Sequence, residues 1–370
     1  MPETIRFYIG TYTGQIKFGT GQVFEGKGEG IYQLELNLSS GMLVQKNVFT
    51  GIVNPSYLAF DPPFSILYAV NELKEYEGKA SGSVSAFSVS KGDGALTFLN
   101  KQATGGTDPC HVIVNPQGTH IIVSNFMSGS VAALPVNPDG SLAEISQFIQ
   151  HSGSSIDPSR QSGPHAHALV FSPDGRFAFV PDLGLDKLMI YATQQDQPTM
   201  LVPSEPAYFE TKPGAGPRHC TFSLDGRYCY LINELDCTIL TLAFDEDSGS
   251  FTELQSVSTL PDGVSVPGNS CADIHITPDG RLLYGSNRGH NSLAIYRIDT
   301  DTGLLGFVDC QPCGGEIPRN FTIAPGGEFL LCANQNSDNI VVFKIGSDTG
   351  HLTEISEISI PTPVCIKPFI

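Results

Sequence analysis

Tryptophan is absent from this 370-residue sequence, and charge is scarce, since Asp, Glu, Lys and Arg together make up only 16% of it. The absence of Trp excludes repeat proteins that carry a Trp-Asp signature. Basic residues are scarcer than acidic ones: the chain has 20 Lys and Arg against 38 Asp and Glu, which gives a formal net charge of −18. Binding to nucleic acid or to an anionic membrane requires clustered basic residues, so we expect neither partner.

Long apolar runs are also missing. Without a run of about 18 apolar residues we expect no transmembrane helix. The opening MPETIRFYIG lacks a basic segment followed by an apolar one, so we expect no secretory signal. The nine cysteines are scattered through strand-like runs and are expected to be reduced, which is typical of the cytoplasm. We interpret the Cys310 to Cys313 spacing as chance in a loop.

What the sequence does contain is a repeat. One unit recurs: a Pro, an apolar run, a turn often spelled P-D-G, a second apolar run, a polar pair, a third run, and then a polar turn that ends in G-x-L. The units begin near residues 5, 54, 108, 163, 216, 270 and 317. A period of about 50 residues with four strands in each unit is typical of β-propellers. We predict one all-β domain over residues 1–370, a seven-bladed propeller of four-stranded antiparallel blades.

The two ends of the chain predict how the propeller closes. IRFYIGTYTG at the start resembles the second strand of a unit, whereas TPVCIKPFI at the end resembles a first strand. The C-terminal segment is therefore expected to supply the innermost strand of blade one, which removes an exposed sheet edge.

Two positions in each unit are expected to meet at one mouth of the central channel. The second strand runs back antiparallel to the first, so its end lies beside the start of the first strand. The start of the first strand holds Ser56, Tyr57, Cys110, His111, His167, Arg218, His219, Asp273, Arg319 and Asn320. The end of the second strand holds Asn71, Glu72, Asn125, Asp182, Asn233, Glu234, Asn287, Arg288, Asn334 and Gln335. In a chain this poor in charge, such a gathering predicts a functional site.

The same residues also admit structural interpretations. Asn ends the second strand in five units, which is typical of a turn residue, and Glu72 or Glu234 could each be a turn acid. His165 and His167 would point the same way on a strand and have a spacing that suits a metal. Because no third ligand is evident, we favour hydrogen bonding or acid–base work for them. We expect no metal and no cofactor.

GAGPRHCTFSLDGRYCYLINEL and CADIHITPDGRLLYGSNR resemble the seven-bladed propeller lactonases, and the resemblance covers essentially the whole chain. That family includes propeller-type 6-phosphogluconolactonases and the fungal 3-carboxy-cis,cis-muconate lactonising enzyme. The resemblance implies an active site of one His, two Arg and one Glu, which fall at His167, Arg218, Arg288 and Glu234. His165 is an alternative to His167, because the stretch that begins at Pro164 is longer than its equivalents. The Gly-rich excursion from Gln15 to Gly30 is expected at the same mouth.

The activity implied by the resemblance is hydrolysis of a sugar-acid lactone, foremost 6-phosphogluconolactone, in the pentose phosphate pathway. Attack on an ester carbonyl needs a base for water and cations for the oxyanion. Glu234 is the expected base if burial keeps its pKa useful, with His167 as the alternative. Arg218 and Arg288 would hold the anionic groups. The expected substrate-binding residues are His165, His219, Arg319, His111, Glu72, Asn287 and Asp273.

Two other functions stay open on the same scaffold. One is cycloisomerisation of a muconate-type dicarboxylate, in which the arginines bind carboxylates. The other is a binding propeller without catalysis, since no nucleophile triad or metal motif is visible in the sequence. In either catalytic case we expect an anionic small molecule as the partner and a monomer or weak homo-oligomer.

Overall fold

The chain folds into strands because short β-branched and aromatic runs alternate with Gly, Pro and Asp turns. The computed structural model describes residues 3–17, 21–194 and 200–370. Within these ranges there is no helix, and therefore none long and apolar enough to cross a membrane. Seven sheets of four antiparallel strands succeed one another along the chain, and an eighth sheet is a two-stranded hairpin. The predicted seven-bladed propeller is confirmed.

The strands follow the blades in order, apart from the last one. Blade one contains β1 (Thr4–Thr11), β4 (Gly30–Asn37), β5 (Leu43–Thr50) and β30 (Pro363–Phe369), and the hairpin of β2 (Gln15–Lys17) and β3 (Val23–Glu25) follows its β1. Blades two and three contain β6 (Pro55–Phe60), β7 (Ile66–Asn71), β8 (Ser83–Val89), β9 (Leu96–Ala103), β10 (Pro109–Val114), β11 (His120–Asn125), β12 (Ser130–Pro135) and β13 (Gln147–Gln150).

Blades four and five contain β14 (Val170–Phe171), β15 (Phe177–Asp182), β16 (Lys187–Thr193), β17 (Leu201–Glu210), β18 (Pro217–Phe222), β19 (Tyr228–Asn233), β20 (Thr238–Phe244) and β21 (Phe251–Ser258). Blades six and seven contain β22 (Ser270–Ile276), β23 (Leu282–Arg288), β24 (Ser292–Ile298), β25 (Leu305–Pro312), β26 (Pro318–Ile323), β27 (Phe329–Asn334), β28 (Asn339–Ile345) and β29 (Leu352–Ser359). The first strands β6, β10, β18, β22, β26 and β30 contact their neighbours around the central axis. The residues that begin them therefore border the channel.

Blade one closes the ring as the two ends of the sequence predict. The C-terminal strand β30 pairs antiparallel with β1, and Ile9 lies opposite Ile366. The order of this sheet is β30, β1, β4, β5, so the last residues of the chain supply the innermost strand beside the first ones. This pairing leaves β1 without a free edge.

Adjacent blades are joined by apolar packing and by a recurring hydrogen bond. A fully buried Tyr of the second strand donates its hydroxyl hydrogen to a Gly carbonyl in the outer hairpin of the next blade. The pairs are Tyr8 with Gly94, Tyr68 with Gly140, Tyr230 with Gly303 and Tyr284 with Gly350, at 2.5, 3.1, 2.9 and 2.8 Å. All four Gly residues have positive φ, a conformation that glycine adopts without steric cost. The Gly of the turn between the third and fourth strands thus ties each of these blades to the preceding one.

Candidate active site

A cavity of about 550 Å³ opens at the mouth where first strands begin and second strands end. Its wall includes Glu72, Cys110, Arg160, His167, Glu234, Arg288 and Arg319. A much smaller space continues below it into the channel, and Arg218 and His219 line that space together with His167 and Arg319. The cavity therefore collects residues from blades two to seven at one end of the ring.

A β-bulge after the Pro explains why the first-strand residues reach the cavity. In blade five, Pro217 pairs with Asn233 and His219 with Ile232, so Arg218 has no partner in the ladder. The same shift leaves Arg319 unmatched in blade seven. An extra residue in one strand bends it and redirects its side chain. The bulge thus turns these arginines away from the sheet and towards the channel.

His167 occupies the corresponding place in blade four, where the first strand is only two residues long. Ala166 forms an isolated bridge with Asp182, just as Pro217 pairs with Asn233 in blade five. His167 follows that bridge as Arg218 follows Pro217, and it lines the cavity. His165 instead donates from Nδ1 to the carbonyl of Phe126 at 2.9 Å and stacks on that ring. Between the two histidines, the structure places His167 at the cavity.

Glu234 sits at the centre of a group of guanidinium ions. Its Oε2 accepts from Nε of Arg218 at 3.0 Å and lies 2.8 Å from an Nη of Arg288, while its Oε1 accepts from an Nη of Arg160 at 2.5 Å. The carboxylate is 4% exposed, and the Arg218 side chain 3%. One buried carboxylate therefore holds three cations by charge-assisted hydrogen bonds.

Arg160 was not among the residues predicted for the site. It lies in the loop between β13 and β14, outside the repeat unit. Asp157 caps the turn by accepting from the backbone N–H of Ser159 and Arg160, and Gln161 ties the loop to Asp186 at 2.7 Å. The loop thus brings a guanidinium from outside the propeller ladder to Glu234.

The electrostatics of Glu234 correct the role expected from the sequence. Burial raises the pKa of a carboxyl, but the charges of Arg288, Arg160 and Arg218 outweigh it and hold the pKa of Glu234 well below its usual range. Glu234 is therefore a permanent anion and a poor proton acceptor. Burial, followed by the neighbouring Arg288, lowers the pKa of Arg218 to about 10, so the cations also repel one another.

Glu72, at the opposite side of the ring, has a different environment. Its carboxylate accepts from the hydroxyl of Tyr12, which lies 3.2 and 3.0 Å from the two oxygens. Burial raises the pKa of Glu72, although the charge of Arg319 opposes this effect. Tyr12 is itself buried, and its pKa is raised well above the usual value, so it stays a hydrogen-bond donor. One cavity therefore contains two carboxyls whose pKa values move in opposite directions.

His111, His219 and Asp273, all expected to bind substrate, lie deeper than the cavity. His219 donates from Nδ1 to Asp273 at 2.9 Å, and the ring centroid of His111 lies 4.3 Å from that of Tyr57, with the two rings tilted by 37°. Burial and then Arg218 lower the pKa of His219 to about 4, which keeps it neutral. These residues form a polar layer inside the channel and not the wall of the cavity.

Asn287 lies outside the cavity as well. It is fully buried, and its Nδ2 donates to the carbonyl of Thr259 at 2.9 Å. Asn71, Asn125 and Asn334 donate in the same way to carbonyls of neighbouring loops. For Asn287 the geometry fits the turn interpretation and not substrate binding.

The excursion from Gln15 to Gly30 borders the cavity where it is described. Lys17, Gln22 and Phe24 contribute to the wall, and β2 pairs with β3 as a hairpin. Residues 18–20 lie outside the described part of the chain. Within that part, no group of three or more His, Cys, Asp and Glu side chains is placed to hold a metal ion.

Comparisons with known proteins agree with this architecture. Residues 6–368 match a family model described as "Lactonase, 7-bladed beta-propeller". A 6-phosphogluconolactonase of Bacillus subtilis is 35% identical over 361 residues, 97% of each chain. A 6-phosphogluconolactonase of Formosa agariphila is 34% identical over 299 residues, 80% of this chain and 82% of its own. The solved structure of a periplasmic gluconolactonase from Pseudomonas aeruginosa is 33% identical with a TM-score of 0.90, and the match covers 99% of both chains.

Proposed function

This chain belongs to the lactonase family of seven-bladed β-propellers, and from this premise we propose that it hydrolyses the lactone of an anionic sugar acid, foremost 6-phosphogluconolactone. The family resemblance drawn from the motifs is thereby confirmed. Of the three relatives described above, two are named for the phosphorylated lactone and one for gluconolactone. The phosphate group is therefore the chemical feature that distinguishes the two candidate substrates.

The observation that carries the proposal is the charge of the cavity. Four arginines surround the cavity and its floor, Arg160, Arg218, Arg288 and Arg319, in a chain with only nine arginines and a net charge of −18. Guanidinium groups suit phosphate and carboxylate because they offer two parallel N–H donors. This concentration of guanidinium groups offers an anion binding partners that the rest of the acidic surface lacks.

The same arginines supply what ester hydrolysis requires. When water adds to the lactone carbonyl, negative charge develops on the carbonyl oxygen, and donors fixed in advance stabilise it. Glu234 fixes Arg160, Arg218 and Arg288 in place. Among the described residues the buried Nε of Arg288 has no hydrogen-bond partner, which leaves one donor unsatisfied without substrate. The wall also offers two groups that could accept the proton of the water, His167 and Glu72.

The experiment compares the release of acid from 6-phosphogluconolactone and from gluconolactone, corrected for uncatalysed hydrolysis. We expect the phosphorylated substrate to have the higher kcat/KM. Arg288→Gln is expected to lower kcat/KM by about 100–1000-fold, as the loss of one oxyanion donor does. The control is Arg281→Gln, which removes an exposed guanidinium paired with Asp279 in a turn far from the cavity. An Arg288→Gln enzyme with the wild-type rate would contradict the proposal.

A cytoplasmic location and a role in the pentose phosphate pathway are the finer parts of the proposal. The location is supported by nine cysteines, all of them free, which suits a reducing compartment. Fractionation of cells that express the full natural chain would test it, and recovery of the protein outside the cytoplasm would refute it.

A further inference from the structure

Glu72 is a buried carboxyl on the cavity wall and one of two groups there, with His167, that could accept the proton of the attacking water. It follows Asn71, the last residue of β7, and is 6% exposed. Its backbone is fixed on both sides of the peptide, because its N–H donates to the carbonyl of Asn54 at 3.1 Å and Nδ2 of Asn54 donates to its carbonyl at 3.3 Å. These two hydrogen bonds fix the backbone at Glu72, and its buried side chain lies at the cavity wall and does not project into solvent.

The neighbours of Glu72 distinguish it from Glu234. Within the described ranges Glu72 has no Lys, Arg or His within ion-pairing distance, whereas Glu234 has three. Its hydrogen-bond donor is the phenol of Tyr12, a neutral group. Beyond ion-pairing distance, the charge of Arg319 lowers the pKa of Glu72 and that of Asp108 raises it. Burial raises the pKa of Glu72, so of the two carboxyls it is the one better suited to take up and release a proton.

His167 is the competing proton acceptor, and its surroundings argue against it. It is 5% exposed, and burial together with the charges of Arg218 and His219 places its pKa well below the usual value. A proton taken up by His167 would add a further cation beside guanidinium groups that already repel one another. The neutral imidazole is better suited to a hydrogen bond with the substrate than to accepting a proton from water.

We propose that Glu72 is the catalytic acid–base residue of this enzyme and that Tyr12 is its positioning residue. The assignment rests on the proposed lactonase function. As the water oxygen bonds to the carbonyl carbon, Glu72 takes one proton of the water, and the electron pair of the C=O bond moves to the carbonyl oxygen facing the arginines. When this pair returns and the bond to the ring oxygen breaks, Glu72 gives its proton to that oxygen. The products are the free acid and a hydroxyl group, and the carboxylate of Glu72 is regenerated.

The test uses Glu72→Gln, Tyr12→Phe and the control Glu75→Gln, which neutralises an exposed acid in the same loop. Glu72→Gln is expected to lower kcat on 6-phosphogluconolactone by about 100–10,000-fold with little change in KM, as the loss of an acid–base group does. The control should match the wild type.

The pH dependence separates a catalytic from a structural role. In the wild type, kcat/KM should fall on the acid side as Glu72 becomes protonated. The hydrogen bond from Tyr12 stabilises the ionised carboxylate and lowers the pKa of Glu72, so Tyr12→Phe should move the acid limb to higher pH. This shift can be measured even if Glu72→Gln fails to fold.

Each outcome decides the assignment. A folded Glu72→Gln enzyme with the wild-type kcat, or a Tyr12→Phe enzyme with an unmoved acid limb, would overturn the role of Glu72 while leaving the lactonase function intact. A wild-type protein that hydrolyses neither lactone would remove the proposed function and this assignment with it. The expected loss of rate and the expected shift together would support it.

Discussion

Replacing Glu234 by Gln tests whether this carboxylate organises the cavity. The substitution keeps the size of the side chain but removes the charge to which Arg160, Arg218 and Arg288 are bound. It also places an amide, which carries N–H donors, against guanidinium groups that can only donate. We expect lower stability and lower activity together.

The loss of stability depends on how well each guanidinium group can be hydrated once the carboxylate is gone. The Arg160 side chain is 19% exposed and can turn outward, whereas that of Arg218 is 3% exposed and stays buried beside Arg288. Removing one partner of a buried ion pair costs about 3–5 kcal/mol, because the other charge is left without compensation. With an unfolding entropy of about 2.1 cal/mol/K per residue, this corresponds to a fall of about 4–6 °C in melting temperature for a chain of this length.

The assay is thermal unfolding of wild type and Glu234→Gln at pH 8 and pH 5.5. The pKa of Glu234 is depressed in the folded state, so its stabilisation is present above the unfolded-state pKa of about 4.3 and is lost only as the pH falls through the folded-state value. The difference in melting temperature should therefore be the same at both pH values. Glu253→Gln, at an exposed position of β21, is the control. Equal melting temperatures of Glu234→Gln and wild type would refute the reasoning.

Two further predictions concern the ring and its thiols. Deleting residues 363–370 removes β30, exposes the edge of β1 and uncovers part of the core around Ile9. The truncated chain should therefore lose the cooperative unfolding transition. A truncated protein that melts like the wild type would contradict ring closure by β30. The hydrogen bond with Cys271, opposed by burial, lowers the pKa of Cys237 to about 7, so iodoacetamide at pH 7.5 should modify Cys237 before the other cysteines. Mass spectrometry of a time course measures this, and faster labelling of any other cysteine would contradict it.

The sequence is sufficient to predict where the first-strand arginines lie, because their positions follow from the repeat. Arg218 and Arg319 both come directly after a Pro, and the bulge at that point is a local property of each first strand. The choice between His167 and His165 required the structure, because the stretch that begins at Pro164 is longer than its equivalents in the other blades. Only the bridge of Ala166 with Asp182 shows which residue takes the bulged place.

Arg160 escaped prediction because no repeat position corresponds to it. It reaches Glu234 across 74 residues of sequence, from a loop whose shape depends on Asp157 and Gln161. A weak signal did exist in the composition. Of the nine arginines, Arg176, Arg227 and Arg281 belong to D-G-R turns, where each pairs with the Asp of its own turn. Among the few that remain, Arg160 is the one without a strand around it.

The same tripeptide, Asn-Glu-Leu, ends the second strand in blade two and in blade five, and it shows where local sequence stops being informative. Glu72 and Glu234 have the same neighbours in the chain and the same place in their blades. What differs is their partners. Glu72 has a hydrogen bond from a phenol and the more distant charge of Arg319, whereas Glu234 has three guanidinium groups within ion-pairing distance. Cations close to a carboxyl lower its pKa, whereas burial without them raises it. Arg218 lies in the same blade as Glu234, but Arg288 comes from the next blade and Arg160 from a loop outside the repeat. The different roles of the two acids therefore depend on the closed ring and not on the local sequence.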